Sequence, residues 1–505
     1  MTLTRARLCL ALLIVVVSAP RTLWAQGPTR DQAVEALRKA VTFFHQRVAV
    51  NGGYVYRVSG DLTLREGEGI AGPKTIWVQP PGTPAVGEAF LDAYDATGDA
   101  LHRDAARDAG RALVLGQLHS GGWTYRIEFD PKDREEFAYR LDLDGQPRPD
   151  PTSKAPRDEP PGWDFWKRRK VKGNLSTLDD DTTQAATRFL IRLDRALGFQ
   201  DEPIHAAAGL AVEAIRGAQY PNGGWSVSFD RFPRTPPGAV DYPPMRASYP
   251  EDWPRTWPKD FTGCYVLNDD LMADVVDTLL LAHEVYKNPR DLEAAERAGG
   301  FLLLAQMPAP QPAWAQQYDK SMQPVWSRAF EPPAVTGGES QGVMETLIKL
   351  ARVTGNLQYL APIPEALAYL RRVTLPDGRL ARFAELRTDR PIYFARMPVG
   401  PHKMIFTPEG MATHYGFLVN QRLDAIEASY RRLIEAQPAP AARSRSKESA
   451  RRAQLAIESL DDRGAWVDRG RLTSHKVEPA SGVVDSQTFA RNVAALTRFL
   501  REQAE

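Results

Sequence analysis

Apolar residues recur at three- and four-residue spacing through most of the chain. After the acidic run Asp179, Asp180 and Asp181, the side chains of Ala186, Phe189, Leu190, Leu193 and Leu197 fall on one helical face. Ala208, Val212 and Ile215 mark the next amphipathic stretch. Met272, Val275, Val276, Leu279 and Leu280 mark another, and Val343, Met344, Leu347, Ile348 and Ala351 a fourth. Runs with period two are short and scattered. The pattern predicts an all-α fold: paired helices in an α/α barrel or toroid, with short β pieces and long loops.

A second pattern punctuates the first. "QLHSGGW" (117–123) and "QYPNGGW" (219–225) have weaker echoes in "VNGGYVYR" (50–57) and "DDRGAWVD" (461–468). Each follows a helical stretch and precedes a short β-like piece. Glycine permits the positive-φ turn that closes a helix, and the aromatic ring folds back onto the helix end. Such repetition is the mark of helical hairpins arranged around a centre.

The segment boundaries follow from composition. Arg5 and Arg7 precede a short apolar run, Leu8 to Val17, so residues 1–26 read as a signal peptide. Residues 27–435 form the expected toroid. Residues 436–505 form a linker and a C-terminal helical extension that caps the array. Two polar, proline-rich insertions, 130–173 and 231–260, read as surface loops over a cleft. Removing residues 1–26 takes the net charge from +1 to −2, because that stretch holds three arginines and no acid. Neither value gives a nucleic-acid footprint. A secreted or periplasmic monomer with no stable membrane insertion after cleavage is expected. Its cysteines are Cys9, inside the signal, and Cys264, which reads as a small buried residue with no disulfide partner.

The candidate chemistry is carboxylate and guanidinium. Asp179–Asp181 and Asn268–Asp270 each open an amphipathic helix. The plain reading is N-capping; two acidic helix starts facing one centre would instead make an oxygen-rich site for Ca²⁺. Helix N-termini would keep such carboxylates ionised. Histidine pairs and CxxC motifs are absent from the sequence, which disfavours zinc. "VWSRAFEPPAVTGGES" (325–340) sets Arg328 beside Phe330 and Glu331. "RLARFAELRTDRPIYFAR" (379–396) interleaves Arg379, Arg382, Arg387, Arg390 and Arg396 with aromatics. Some of these would point inward as bidentate carboxylate binders.

Taken in order, "TLDDDTT", "RFL", "AQYPNGGW", "LNDDLM", "WAQQYD", "RAFEPPAVTGGES" and "ARFAELRTDRPIYFAR" resemble the motif series of the polysaccharide lyase family 10 pectate lyases, over roughly residues 35–420. The resemblance implies Ca²⁺-dependent β-elimination on polygalacturonate or a related acidic polysaccharide. It implies Asp179, Asp180 and Asp269 at the metal, with Asp180 also facing substrate, Arg328 as the base, and Arg382, Arg390 and Arg396 on uronate carboxylates. Departures from the family pattern include "DFTGCYVL" (260–267), "ATHYGF" (412–417) and the two insertions. Two rival readings are a non-catalytic glycan-binding toroid and a terpene-cyclase-like enzyme; the latter wants an aspartate where Leu178 stands.

Overall fold

The computed structural model describes residues 27–150, 173–230, 242–259, 265–397, 402–436 and 446–503. The amphipathic stretches become thirteen α-helices among the described residues: α1 Arg30–Phe43, α2 Thr83–Thr97, α3 Ala100–Leu115, the single turn α4 Pro131–Arg134, α5 Thr182–Ala196, α6 Glu202–Gly217, α7 Leu271–Tyr286, α8 Pro289–Ala305, α9 Glu339–Thr354, α10 Ile363–Arg372, α11 Leu423–Ile434, α12 Ser446–Glu458 and α13 Ser486–Glu502. An inner layer packs side by side in the order α13–α2–α5–α7–α9–α11. Outside it, α12, α1, α3, α6 and α8 follow one another, and the turn Leu357–Leu360, between α9 and α10 in the chain, packs against α8. The predicted apolar faces lie between the layers. Ala186, Phe189, Leu190 and Leu193 of α5 are buried, as are Val343, Met344, Leu347 and Ile348 of α9.

The glycine-tryptophan members of the repeat act as hairpin clasps, whereas the buried Tyr54 hydroxyl of the first echo has no hydrogen-bond partner among the described residues. The indole N–H of Trp123 donates to the Leu113 carbonyl, Trp225 to Ile215 and Trp466 to Ala456, each ten residues back on the preceding outer helix. Trp314 does the same to Leu302 without a Gly-Gly pair, an instance the sequence pattern did not reveal. Gln117 and Gln219 tie each turn to the next outer helix. Their side-chain amides bond Ala207 and Ala294, respectively, as well as the turn glycines. Gly223 has φ +98°, and a Cβ there would run into the Arg297 carbonyl oxygen. Gly223→Ala is therefore expected to cost about 2–3 kcal/mol in chemical denaturation, through strain and lost packing together.

Short strands run from the clasps toward one end of the array. Ser176–Thr177 pairs with Ser228–Phe229, and Tyr265–Val266 with Gln317–Tyr318. These pairings bring the stretches before α5 and α7 to the same rim. A four-stranded sheet orders Lys403–Ile405, Pro391–Ala395, Phe383–Glu385 and Ala334–Thr336 beside the start of α9.

The C-terminal hairpin packs α13 on α1 and α2 and stacks Phe489 on Phe44 at 3.8 Å, inside the core of the first hairpin. The described parts of the two insertions are likewise packed. Buried Arg134 donates to the carbonyls of Leu115, Glu128 and Leu141, and Tyr242 and Trp253 are buried. The expected signal peptide 1–26, much of both insertions, most of the expected linker, and both cysteines lie outside the described residues. Among the described residues, no helix is long and apolar enough to cross a membrane.

Candidate functional site

The starts of four inner helices converge. Gln79 stands just before α2, Asp179 and Asp180 before α5, Asn268 and Asp269 before α7, and Glu339 opens α9. The positive ends of four helix dipoles therefore surround one point. Contacts join each neighbouring pair. The Gln79 amide donates to Asp180 at 3.0 Å, and Arg382 Nη2 bridges Asp269 at 2.9 Å and Glu339 at 2.7 Å.

The turns before α5 and α7 are the same structure twice. Leu178 and Leu267 are buried anchors. Asp180 and Asp269 both take φ 49°, and Asp181 and Asp270 both take φ 57°. Two left-handed residues in a row are tolerated best by short polar side chains. The acids make no side-chain cap bonds, so N-capping does not account for them. The double left-handed bend sends consecutive carboxylates apart. Asp180 and Asp269 face the rim. Asp181 turns between α5 and α7, where Arg188 Nη2 holds it at 2.5 Å while Nη1 of the same guanidinium donates to the Asp274 carbonyl and the Thr278 hydroxyl of α7. Asp270 lies against Gly342, where any side chain would collide with its carboxylate.

Oxygens of Asp179, Asp180 and Asp269 all lie within 4.8 Å of one another. The Tyr125 hydroxyl donates to Asp179 at 2.8 Å. Arg328 is fixed by its own loop: Glu331, whose side chain is fully buried, accepts from the Arg328 backbone N–H at 3.1 Å and from Nε at 2.7 Å. The Tyr415 hydroxyl donates to the same carboxylate at 3.1 Å. This places Arg328 Nη2 3.6 Å from Asp269 Oδ2. The Arg382 guanidinium lies 4.7 Å above the Tyr415 ring, and the Gln316 amide reaches Asn268 and the Tyr415 hydroxyl.

Five of the residues singled out in the sequence thus meet: Asp179, Asp180, Asp269, Arg328 and Arg382. Two do not. Arg390 turns away to Glu385 at 3.0 Å and stacks 3.4 Å from the Phe406 ring centre. Arg396 is exposed beyond the end of strand Pro391–Ala395, near His402. The reason is local. Glu385 and Arg390 flank one hairpin turn and neutralise each other. Sequence reasoning passed over Gln79, Tyr125, Gln316, Glu339 and Tyr415. Glu339 carried a signal as an acid opening an amphipathic helix in "GGES"; Gln316 and Tyr415 lie in the quoted stretches "WAQQYD" and "ATHYGF" without being singled out, and Gln79 and Tyr125 carried none.

The expectation that helix N-termini keep the acids ionised needs correction. Burial, reinforced by the charges of Asp179 and Asp269, pushes Asp180 up to about 7. Burial also pushes Asp269 to about 6; Arg382 pulls it down, while Glu339 and Asp179 push it up. Desolvation and crowding of like charges outweigh the dipoles. Burial alone would lower the Arg328 guanidinium, but the Glu331 bond and charge, with Asp179, hold it above its ordinary value.

Beside the cluster opens a cavity of about 650 Å³, lined by Tyr125, Asp179, Trp257, Asn268, Ser327 and Arg328. Its size suits a small-molecule or sugar ligand.

Compared with protein-family models and with curated proteins, the chain matches none. Comparison with solved structures gives only weak likenesses. A mutant family 10 polysaccharide lyase from Cellvibrio cellulosa, in complex with trigalacturonic acid, is 15% identical, over 70% of this chain and 99% of that one, with a TM-score of 0.41. A sugar epimerase from a ruminal bacterium is 12% identical, over 94% and 99%, with a TM-score of 0.47. Cellobiose 2-epimerase from Spirochaeta thermophila is 14% identical, over 96% and 100%, with a TM-score of 0.43. At TM-scores of 0.41 to 0.47, these likenesses carry no argument about this chain's fold or chemistry.

Proposed function

We propose that the protein is a Ca²⁺-dependent polysaccharide lyase that cleaves a 1,4-linked polyuronide, with polygalacturonate the first candidate, by β-elimination. The observation that carries the reading is the meeting of Asp179, Asp180 and Asp269 with Arg328 and Arg382 in one rim site. The donor set fits a hard cation. Oxygens bound to one calcium at about 2.3–2.6 Å lie within roughly 5 Å of each other, and these three carboxylates have that spacing.

In the proposed reaction Arg328, in its neutral form, takes the proton α to the uronate carboxylate. The C–H electrons become the new C=C bond, the C4–O4 bond breaks, and the departing oxygen takes up a proton. Glu331 and Tyr415 hold the Arg328 guanidinium in one orientation, so little freedom is lost on reaching the transition state. Arg382 is fixed by Glu339 and Asp269 through Nε and Nη2, and Nη1 is not used by either carboxylate. That edge can receive the substrate carboxylate as charge builds there. A bound calcium ion would supply further neutralisation of that carboxylate.

The raised affinity of Arg328 for its proton favours a second reading, a glycan-binding protein in which Arg328 stays cationic and only grips carboxylates. Incubation with polygalacturonate and Ca²⁺ separates the two. The lyase gives a rise in ultraviolet absorbance from the unsaturated product, whereas binding with no rise across neutral to alkaline pH supports the module.

The acids set a pH dependence. In the folded chain Asp180 and Asp269 keep protons up to about 7 and 6, whereas unfolded aspartate releases its proton near ~4. The folded state therefore binds more protons in this window, and without a cation its stability falls as pH rises from about 4 to 7 and then levels. A cation needs the ionised acids, so calcium affinity is expected to climb across the same window. Calorimetric titration at pH 5 and pH 8 checks this, and equal affinity at both would contradict it.

A further inference from the structure

Trp257 is the wall between two cavities. On one side lies the space holding Asp179 and Arg328; on the other lies a second cavity of about 730 Å³, lined by Arg255, Trp326, Arg390, Phe394, Lys403 and Phe406 among others. The indole N–H of Trp257 donates to the Ser327 carbonyl at 2.8 Å, so the ring is pinned to the residue next to Arg328. The Trp326 indole donates to the Pro254 carbonyl at 2.7 Å. These two bonds dock residues 253–257, part of the second insertion, onto the Arg328 loop.

The far cavity has a charge sense. Glu385 is buried and receives Arg255 Nη1 at 2.7 Å and Arg390 Nε at 3.0 Å. Two guanidiniums thus share one carboxylate, and Lys403 adds a third cation, which leaves the wall net positive. Both guanidiniums are braced by rings: Arg255 lies 3.8 Å from the Trp253 ring centre, and Arg390 3.4 Å from that of Phe406. Both side chains remain about half exposed, at 55% and 51%. A fixed cationic wall beside aromatic faces is the chemistry that recognises an anionic sugar, with the carboxylate on the guanidiniums and a ring face on an indole or phenyl.

We propose that this second cavity is a remote uronate subsite, built by the insertion, which holds a further sugar of the same polymer across Trp257 from Arg328. The proposal rests on the polyuronide reading above. It makes the protein selective for longer chains: short oligomers fill the Arg328 side, and longer ones reach the Arg255–Arg390 wall. It also gives Arg390 a place in binding that its distance from the acid cluster otherwise denies it.

Arg255→Ala is the leading variant because Glu385 keeps Arg390 and the Thr388 hydroxyl, so no buried charge is orphaned. Wild type and variant are assayed on galacturonate trimers and on hexamers and longer chains with Ca²⁺, and binding of the same oligomers is measured by calorimetry. The expected result is a loss of about tenfold in kcat/KM on long chains, mostly in KM, against less than about twofold on trimers. Arg255→Lys should recover part of it, and added salt should narrow the gap. An equal loss at both lengths, or none on long chains, overturns the subsite. A wild type that binds hexamers more tightly than trimers without forming unsaturated product, and loses that preference in Arg255→Ala, supports the subsite while the lyase reading falls. A wild type that neither cleaves nor binds these oligomers overturns both.

Discussion

Arg328→Ala is expected to lower kcat on polygalacturonate by about 10³–10⁴-fold with a smaller change in KM, because the side chain acts on the reacting proton more than on ground-state binding. The same change removes two side-chain donors from Glu331, which is fully buried. Glu331 keeps the Tyr415 hydroxyl and the backbone N–H of residue 328, so the stability cost should stay near about 1–3 kcal/mol and the variant should fold. Arg328→Lys is the more telling partner. An ammonium releases its proton more readily than a guanidinium, so a lysine base should shift the rise in rate to lower pH. A lysine variant with wild-type rate and an unshifted profile would show that only the positive charge matters. For the wild type, Glu331 and Asp179 hold the proton on Arg328, so the neutral form is scarce and the rate should rise toward alkaline pH. A pH–rate profile with its optimum in the acid range would point instead to a carboxylate base.

The second large effect concerns the metal. Calcium at about one hundred times its dissociation constant should stabilise the wild type by about 2.7 kcal/mol, and Asp269→Asn should abolish most of that gain. Asp269 meets both other acids and both arginines, so its loss removes a ligand and also frees Arg382 to close on Glu339. Activity with saturating polymer should fall at least about 10²-fold, in keeping with loss of a metal's charge stabilisation. Thermal unfolding with and without calcium, on wild type and variant, measures the first effect independently of turnover. An undiminished calcium shift in Asp269→Asn would place the ion elsewhere.

Much of this arrangement was legible in the sequence because helix periodicity and the glycine-aromatic clasps are local signals. The faces of α5, α6, α7 and α9 fall where the apolar spacing puts them. The two acidic helix starts, Asp179–Asp181 and Asn268–Asp270, announced themselves by repetition. Their internal division of labour did not. Nothing in "LDDD" or "LNDD" says that two left-handed residues will aim one acid at the rim and the next between the helices. Nor could spacing show that burial would raise Asp180 and Asp269 rather than leave them ionised, since that depends on which distant charges arrive. Arg390 stays away from the acid cluster for the opposite reason. In "ELRTDR" the hairpin brings Glu385 back to Arg390, and a pair five residues apart satisfies itself before either can reach the centre. Gln79 and Tyr125 come from segments whose sequence carries no chemical signature, and only tertiary packing assigns them to the site.

Product mass tests the central claim most directly. Elimination splits the polymer without adding water, so the fragments of a defined galacturonate oligomer should have masses summing to that of the parent, one of each pair unsaturated, and only when calcium is present. Fragments that together carry one added water per cleavage would mean hydrolysis, and a product of unchanged mass would mean isomerisation. Either result would contradict a lyase built on Asp179, Asp180, Asp269 and Arg328.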